Sequence, residues 1–304
     1  MQDTSSQQDI DHKIAKVAQR FSGEVALAAR NLATGEEMRF NADKVYGTAS
    51  TIKLAVLIEV FHRVRAGTLH LQERVEMHES DIVRGSGVLK ELSPGLQPTI
   101  GDLATLMVIV SDNTATNMLI DRVGGVDVIN QTVQGRYGLS TMVLHNRVDF
   151  ERIGNEIRRF GESSAADLMR LVALLIRGEV VDPAASRQML DIMRRQQYLD
   201  QVPRYFAYNP YAKELKLVQN FSVAAKTGFF PGTRVDAGAI FLPGDIAIAY
   251  CAMAQYGTDV SMAPENQGAI VNGILGRLML ERWWPQGHGT APVLQTPYLE
   301  TFAG

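Results

Sequence analysis

The chain has 304 residues, 46% of them hydrophobic, which is enough to bury a large core in one big domain or two lobes. Charged residues make up 21% and the formal net charge is -3, which argues against a nucleic-acid-binding face or a polybasic membrane patch. Apolar runs such as LATLMVIV at 103–110 are far too short to span a bilayer, and the single cysteine, Cys251, excludes an internal disulfide and a cysteine-built zinc site.

Residues 1–8 are polar and read as a disordered tail. Ile10, Ile14, Val17 and Phe21 recur at helical spacing, so an amphipathic helix is predicted over 9–20. EVALAARNL and EEMRF flank Ala33-Thr34-Gly35 and read as a hairpin. The small run Gly47-Thr48-Ala49-Ser50 then leads into a helical apolar pattern that ends at Gly67. Four more helices follow. TIGDLATLMVIV has Thr99 or Asp102 near its start, and NTATNMLIDRVGG is closed by Gly124-Gly125. SSAADLMRLVALLIRG is closed by Gly178, and DPAASRQMLDIMRRQ is capped by Asp182 with Pro183 in its first turn. Beyond 220 come three strand-like runs, FSVAAKTG, RVDAGAIFL and IAIAYCAMA, and then a final helix within APENQGAIVNGILGRLMLERWW. Cys251 lies in the last of these runs with no basic residue nearby, as expected of a buried structural thiol.

Strands thus sit at both ends of the chain and helices fill the middle. The expected fold is α+β: an antiparallel sheet lobe built from 1–45 and 205–304 and flanked by helices, with an inserted all-helical lobe over 46–204. A cleft between two lobes is a common place for a ligand.

Three short motifs carry chemistry. Ser50-Thr51-Ile52-Lys53 puts a serine and a lysine on one face of a helix start. By itself S-x-x-K is expected by chance roughly once in a chain of this length, and Ser is an ordinary helix cap. Ser111-Asp112-Asn113 and Lys226-Thr227-Gly228 are rarer, each tripeptide being expected on the order of once per several thousand residues. A serine nucleophile needs a base, and a lysine serves only if burial or a second cation lowers its pKa. Lys226 converging on the pocket of Lys53 would supply that cation. The helix start at Ser50 offers N–H groups to an oxyanion.

In this order and these contexts, the three motifs resemble those of the penicillin-recognising serine enzymes, the class A β-lactamase and penicillin-binding protein group. The resemblance runs over about 10–285. It implies a sheet domain plus a helical domain with the site in the groove between them. It implies Ser50 as nucleophile, Lys53 as its base, and Ser111 as the relay of a proton to the leaving nitrogen. Asn113 would bond the substrate's side-chain amide, Lys226, Thr227 and Gly228 would hold its carboxylate with help from Arg234, and the N–H groups of Ser50 and Phe229 would form the oxyanion hole. The implied partner is a small β-lactam or D-Ala-type peptide, with no cofactor, metal or nucleic acid, and the protein is expected to act as a monomer. The chain opens on a polar stretch, MQDTSSQQD. Export to the periplasm or medium, with a leader missing from this sequence, is the expectation, and the cytoplasm stays open.

Several positions depart from the class A pattern. Its deacylating motif, E-x-x-L-N, is met only by Glu151 and Asn155, with Gly154 in place of Leu. Counting back from Ser164 without gaps instead puts Arg147 at the glutamate's place. Glu151 is therefore a candidate deacylation base, with a surface charge the favoured reading. Gly85 and Ser86 stand where many class A enzymes carry an aromatic gate. The segment at 194–219 is long, and its Tyr and Phe residues would either cover the groove or pack on the core. Bulky Phe229-Phe230-Pro231 follows K-T-G. The six histidines do not cluster, no H-E-x-x-H is present, and His145 reads as a loop residue. Three readings follow: a β-lactamase of class A type, a penicillin-binding, D,D-peptidase-like or esterase protein with slow deacylation, and a non-catalytic ligand-binding descendant.

Overall fold

The computed structural model describes residues 4–285. The tail expected over 1–8 is helical from Thr4, and the last 19 residues of the sheet lobe's expected span lie outside the described residues. Helix α1 (Thr4–Arg20) turns Ile10, Ile14 and Val17 inward, and Phe21, just past its end, joins the same cluster. Strands β1 (Glu24–Asn31) and β2 (Glu37–Phe40) form the predicted hairpin, with Gly35 at φ +79° in its turn. Strands β6 (Ser222–Phe230), β7 (Thr233–Leu242) and β8 (Ile246–Gln255) complete an antiparallel sheet in the order β2-β1-β8-β7-β6. The two chain ends meet along β1 and β8, where Ala28 stands opposite Cys251. A long-range pairing of this kind leaves β6 as one edge of the sheet.

Both faces of this sheet are covered, which explains why its inner strands read as near-continuous apolar runs rather than alternating ones. α1 and α9 (Gln267–Trp283) cover one face. The other takes α7 (Ala165–Arg177), which lies across β1, β7 and β8 against small side chains such as Ala26, Ala28 and Ala237. That face opens into the core of the inserted lobe without a break, so the two lobes share one hydrophobic cluster.

The inserted lobe holds α2 (Lys53–Arg65), α3 (Ile100–Ile109), α4 (Asn113–Val123), α5 (Val126–Asn130), α6 (Phe150–Ile153) and α8 (Pro183–Met193). Their ends follow the sequence signals. Thr99 and Asp102 form a reciprocal capping box at α3 (Asp102 N to Thr99 Oγ1 3.0 Å, Thr99 N to Asp102 Oδ2 2.9 Å). Asp182 caps α8, and left-handed Gly124 and Gly178 close α4 and α7.

The span is not wholly helical, however. β3 (Val45–Gly47), β4 (Val143–Leu144) and β5 (Gly161–Ser164) form a small sheet in the order β3-β5-β4. Its strands are two to four residues long, too short for a period-2 signal, and β3 pairs with β5 across more than a hundred positions. α7, placed by sequence in the helical lobe, belongs by packing to the sheet. Among the described residues no helix is long and apolar enough to cross a membrane.

Candidate active site

Ser50 does not begin an α-helix. It sits in a turn of 3-10 helix, Ala49–Ile52, from which α2 continues at Lys53. The N–H of Lys53 bonds the carbonyl of Ser50, and in this tighter helix residues three apart eclipse one another. The turn is entered through Ala49 at φ +44°, a strained value for a residue with a Cβ.

Strand β6 presses against this turn at Gly228. A Cβ there would lie 2.7 Å from Thr48 O and 2.9 Å from Ser50 N, so only glycine lets strand and turn approach so closely. The contact brings the backbone after Gly228, hence Phe229, beside Ser50.

The lysines of the first and third motifs meet at the serine of the second. Lys53 Nζ lies 2.7 Å from Ser111 O, 3.2 Å from Ser111 Oγ and 2.9 Å from Asn113 Oδ1. Lys226 Nζ lies 3.1 Å from the same Ser111 Oγ and donates to Thr227 O at 2.7 Å. Ser111 is held at φ +57°, which aims its carbonyl and hydroxyl together at Lys53. Both lysines are fully buried. Burial pushes Lys53 down to about 7, against the opposing pull of Asp112. Lys226 is lowered by burial and then by the charge of Lys53, with Asp236 acting the other way. A neutral Lys53 can accept the proton of a hydroxyl, while Lys226 donates to the Ser111 oxygen from the other side.

Asp112 builds the loop that supports this arrangement. Its Oδ2 accepts from Val88 N (2.7 Å) and Leu89 N (2.8 Å), and its Oδ1 from Ala115 N (2.9 Å). Gly87 packs so tightly on it that a Cβ would lie 2.3 Å from the carboxylate. Asn113 is occupied at both ends, since its Nδ2 donates to Arg84 O at 2.9 Å while its Oδ1 faces Lys53. One N–H of its amide is left for a ligand.

Behind β6, Thr227 stands opposite Asp236 on β7. Asp236 is fully buried, accepts from Val202 N (3.0 Å) and from Tyr250 Oη (3.3 Å), and is pushed up to about 7 by burial. Thr227 Oγ1 is buried and makes no hydrogen bond. Arg234, 2% exposed, gives its guanidinium to the carbonyls of Phe230 (3.0 Å), Thr233 (2.9 Å) and Ser261 (2.5 Å). It is thus spent on backbone acceptors at the end of the sheet, not turned free into the crevice.

Glu151 does not take the position expected of a deacylation base. It is exposed on α6, and its neighbours Phe150 and Ile153, not Glu151, line the crevice beside Ser50. A helical turn places residues one apart on different faces. Arg147, the other residue aligned to that position, forms an ion pair with Asp121 (3.1 Å). His145 is a loop residue paired with Glu162 (3.3 Å), and Cys251 is buried in the sheet.

The crevice itself holds about 50 Å³. Ser50, Ser86 and Asn113 form its polar side; Val148, Phe150, Ile153, Ile157 and Phe160 face them, with Phe229 and Phe230 along β6. No ionisable side chain lines it. A larger cavity of about 490 Å³ at the far end of α2, lined by Glu59, Arg63 and Arg136 among others, contains none of the three motifs. Among the described residues no group of three or more His, Cys, Asp and Glu could hold a metal ion.

Sequence reasoning missed five contributing residues. Asp236 reads as one polar residue in an apolar strand, and the K-T-G register opposite it was the available signal. Gln196 and Gln201, in the long segment before β6, reach Ala225 O (3.2 Å) and Gly228 O (3.4 Å). Tyr198 of the same segment packs edge-on to Phe229, ring centroids 5.3 Å apart. Phe150 fills the space that Gly85 leaves, its ring 2.9 Å from where a Cβ at Gly85 would stand, so the aromatic missing from one wall is supplied by the other.

The profile of a family described as the Beta-lactamase enzyme family matches residues 9–283. A β-lactamase of Rhodobacter capsulatus is 25% identical over 185 residues, 61% of this chain and 62% of that protein, so the match spans under two thirds of that relative's length. Among solved structures, PBP-A is 28% identical with a TM-score of 0.76, covering 91% of this chain and 95% of its own. A variant of PBP-A has been solved as its acyl-enzyme with penicillin G. The β-lactamase of Sphaerobacter thermophilus is 26% identical with a TM-score of 0.79, covering 90% of this chain and 96% of its own.

Proposed function

The chain belongs to the β-lactamase enzyme family, and on that premise we propose that it takes the acyl group of a β-lactam or D-Ala-type amide onto Ser50 and releases it slowly, as a penicillin-binding, D,D-peptidase-like protein. In this reading neutral Lys53 accepts the proton of Ser50 Oγ as the oxygen attacks the carbonyl. The N–H groups of Ser50 and Phe229 receive the developing oxyanion. Ser111, between both lysines, passes a proton to the departing nitrogen and is reprotonated from Lys53. Lys226 and Thr227 lie behind it to receive a substrate carboxylate.

The observation that carries slow release is the wall beside Ser50. It is aliphatic and aromatic where rapid deacylation needs a carboxylate to activate water. The acyl-enzyme known for a PBP-A variant supports the same reading by likeness. Intact-mass spectrometry during incubation with benzylpenicillin tests it. A single adduct that persists for minutes and disappears in Ser50→Ala is expected. Rapid hydrolysis with no accumulating adduct would return the protein to the β-lactamase reading. Neither adduct nor hydrolysis would remove acyl-serine chemistry altogether.

A further inference from the structure

We infer that Asp236 is a positioning residue for Thr227: it must carry a proton for Thr227 to turn its hydroxyl hydrogen toward the carboxylate of a bound β-lactam or D-Ala-type substrate. The inference rests on acylation at Ser50 and adds what controls the capture of the substrate's carboxylate. Thr227 and Asp236 stand directly opposite one another on β6 and β7, so their side chains share one face of the sheet. Opposite residues have Cβ atoms about 4.5–5.5 Å apart, within reach of a hydrogen bond between their oxygens. Both residues are fully buried, and Thr227 Oγ1 makes no hydrogen bond. A hydroxyl has a single hydrogen to give. An ionised Asp236 takes it and leaves only lone pairs for the incoming carboxylate. A protonated Asp236 gives its own hydrogen to Thr227 Oγ1 and frees the threonine to donate forward.

The surroundings of Asp236 favour the protonated form. Burial pushes its carboxyl up to about 7, with Asp200 of the segment before β6 acting the same way and Lys226 on β6 the other. On β8, burial and then the charge of Asp236 push up the Tyr250 hydroxyl and the Cys251 thiol, so neither offers a countercharge. α9 presents the neutral Asn272, whose Nδ2 donates to Gln201 Oε1 (2.8 Å) and Arg234 O (3.2 Å). Arg234, two residues away on β7, gives its guanidinium to backbone carbonyls. Val202 N holds Asp236 Oδ2 at 3.0 Å, which leaves Oδ1, 3.3 Å from Tyr250 Oη, to carry the hydrogen.

The test compares benzylpenicillin with its methyl ester, which keeps the lactam and lacks the charge. The second-order rate of acylation at Ser50 is measured for each by intact mass at pH 6, 7 and 8. Titration of Lys53 acts on both compounds and cancels in their ratio. A hydrogen bond to a charged group is worth about tenfold or more. The acid-to-ester ratio is therefore expected to fall about five- to tenfold from pH 6 to pH 8. At saturating penicillin the fall vanishes and the rate follows Lys53 alone, because only capture is affected. In Asp236→Asn, whose amide donates at every pH, the ratio stays at its pH 6 value. In Thr227→Val it is low and flat, because the hydroxyl through which Asp236 acts is gone. A ratio that is flat in the parent, or that still falls in Thr227→Val, would overturn the inference while the benzylpenicillin adduct leaves acylation at Ser50 standing. If neither compound marks Ser50, acylation there is lost and the inference with it.

Discussion

At the scale of the residue, the site turns on two amines that share one hydroxyl. Lys53 has three acceptors within 3.2 Å and is nevertheless held to about 7, because burial outweighs the favourable field of Asp112. A base must be unprotonated to work. Acylation by penicillin should therefore rise with pH through a midpoint near 7 and level off above it, which stopped-flow or quenched-mass measurements would check. Lys53→Ala should lower the plateau by about 10²–10⁴-fold; an unchanged acylation rate would take Lys53 out of the reaction. Gly228 is the other sensitive position. Gly228→Ala drives a Cβ into Thr48 O and Ser50 N. It should cost about 1–3 kcal/mol in urea unfolding and displace β6 from Ser50, slowing acylation even where the variant is fully folded.

At the scale of the element, loops fasten the site and helices only carry it. The 85–89 loop is held by one buried carboxylate with three backbone donors, Val88, Leu89 and Ala115. Each donor orphaned in a buried place costs about 1–3 kcal/mol. Asp112→Ala should thus lose about 3 kcal/mol or more, while Asp112→Asn, which keeps one acceptor, should lose clearly less. Equal losses in the two variants would show that the acceptor geometry is not what matters. The long segment before β6 acts in the same way. Its glutamines supply side-chain donors to a strand edge that has no neighbouring strand, at Ala225 O. Its Tyr198 covers Phe229, while Phe206 packs on the core against Phe221, so the segment does both of the things its composition allowed.

At the scale of the whole molecule, burying titratable groups behind the site couples its chemistry to stability. The folded Asp236 carboxyl, raised to about 7, keeps a proton that the unfolded chain releases near 4. Its contribution to stability is present below about pH 4 and is lost as the pH rises toward 7. Lys53 acts oppositely: lowered to about 7, it gives up in the folded state a proton that the unfolded chain holds up to about 10. Its penalty is therefore relieved as pH rises from about 7 to 10. Thermal unfolding of Asp236→Asn against the parent at pH 5, 6, 7 and 8 should show the variant gaining relative stability at each step up to about 7. A difference that stays constant with pH would show that Asp236 is ionised throughout.

The sequence by itself determined the longer helices and strands of the two lobes, most of their ends, and which three motifs to look for at a common site. Those signals are local: a 3.6 period, a capping box at Thr99 and Asp102, a glycine at Gly124, a serine three residues before a lysine. It also determined that both ends of the chain would build one sheet, because apolar strands with short turns have no other surface to bury. Only the tertiary structure decided that Lys53 and Lys226 converge on Ser111, that α7 lies on the sheet, and that Phe150 rather than Glu151 turns toward Ser50. Each of these depends on the direction of a side chain from a short irregular turn, where one residue of rotation exchanges a carboxylate for a phenyl ring and no periodicity records which was chosen.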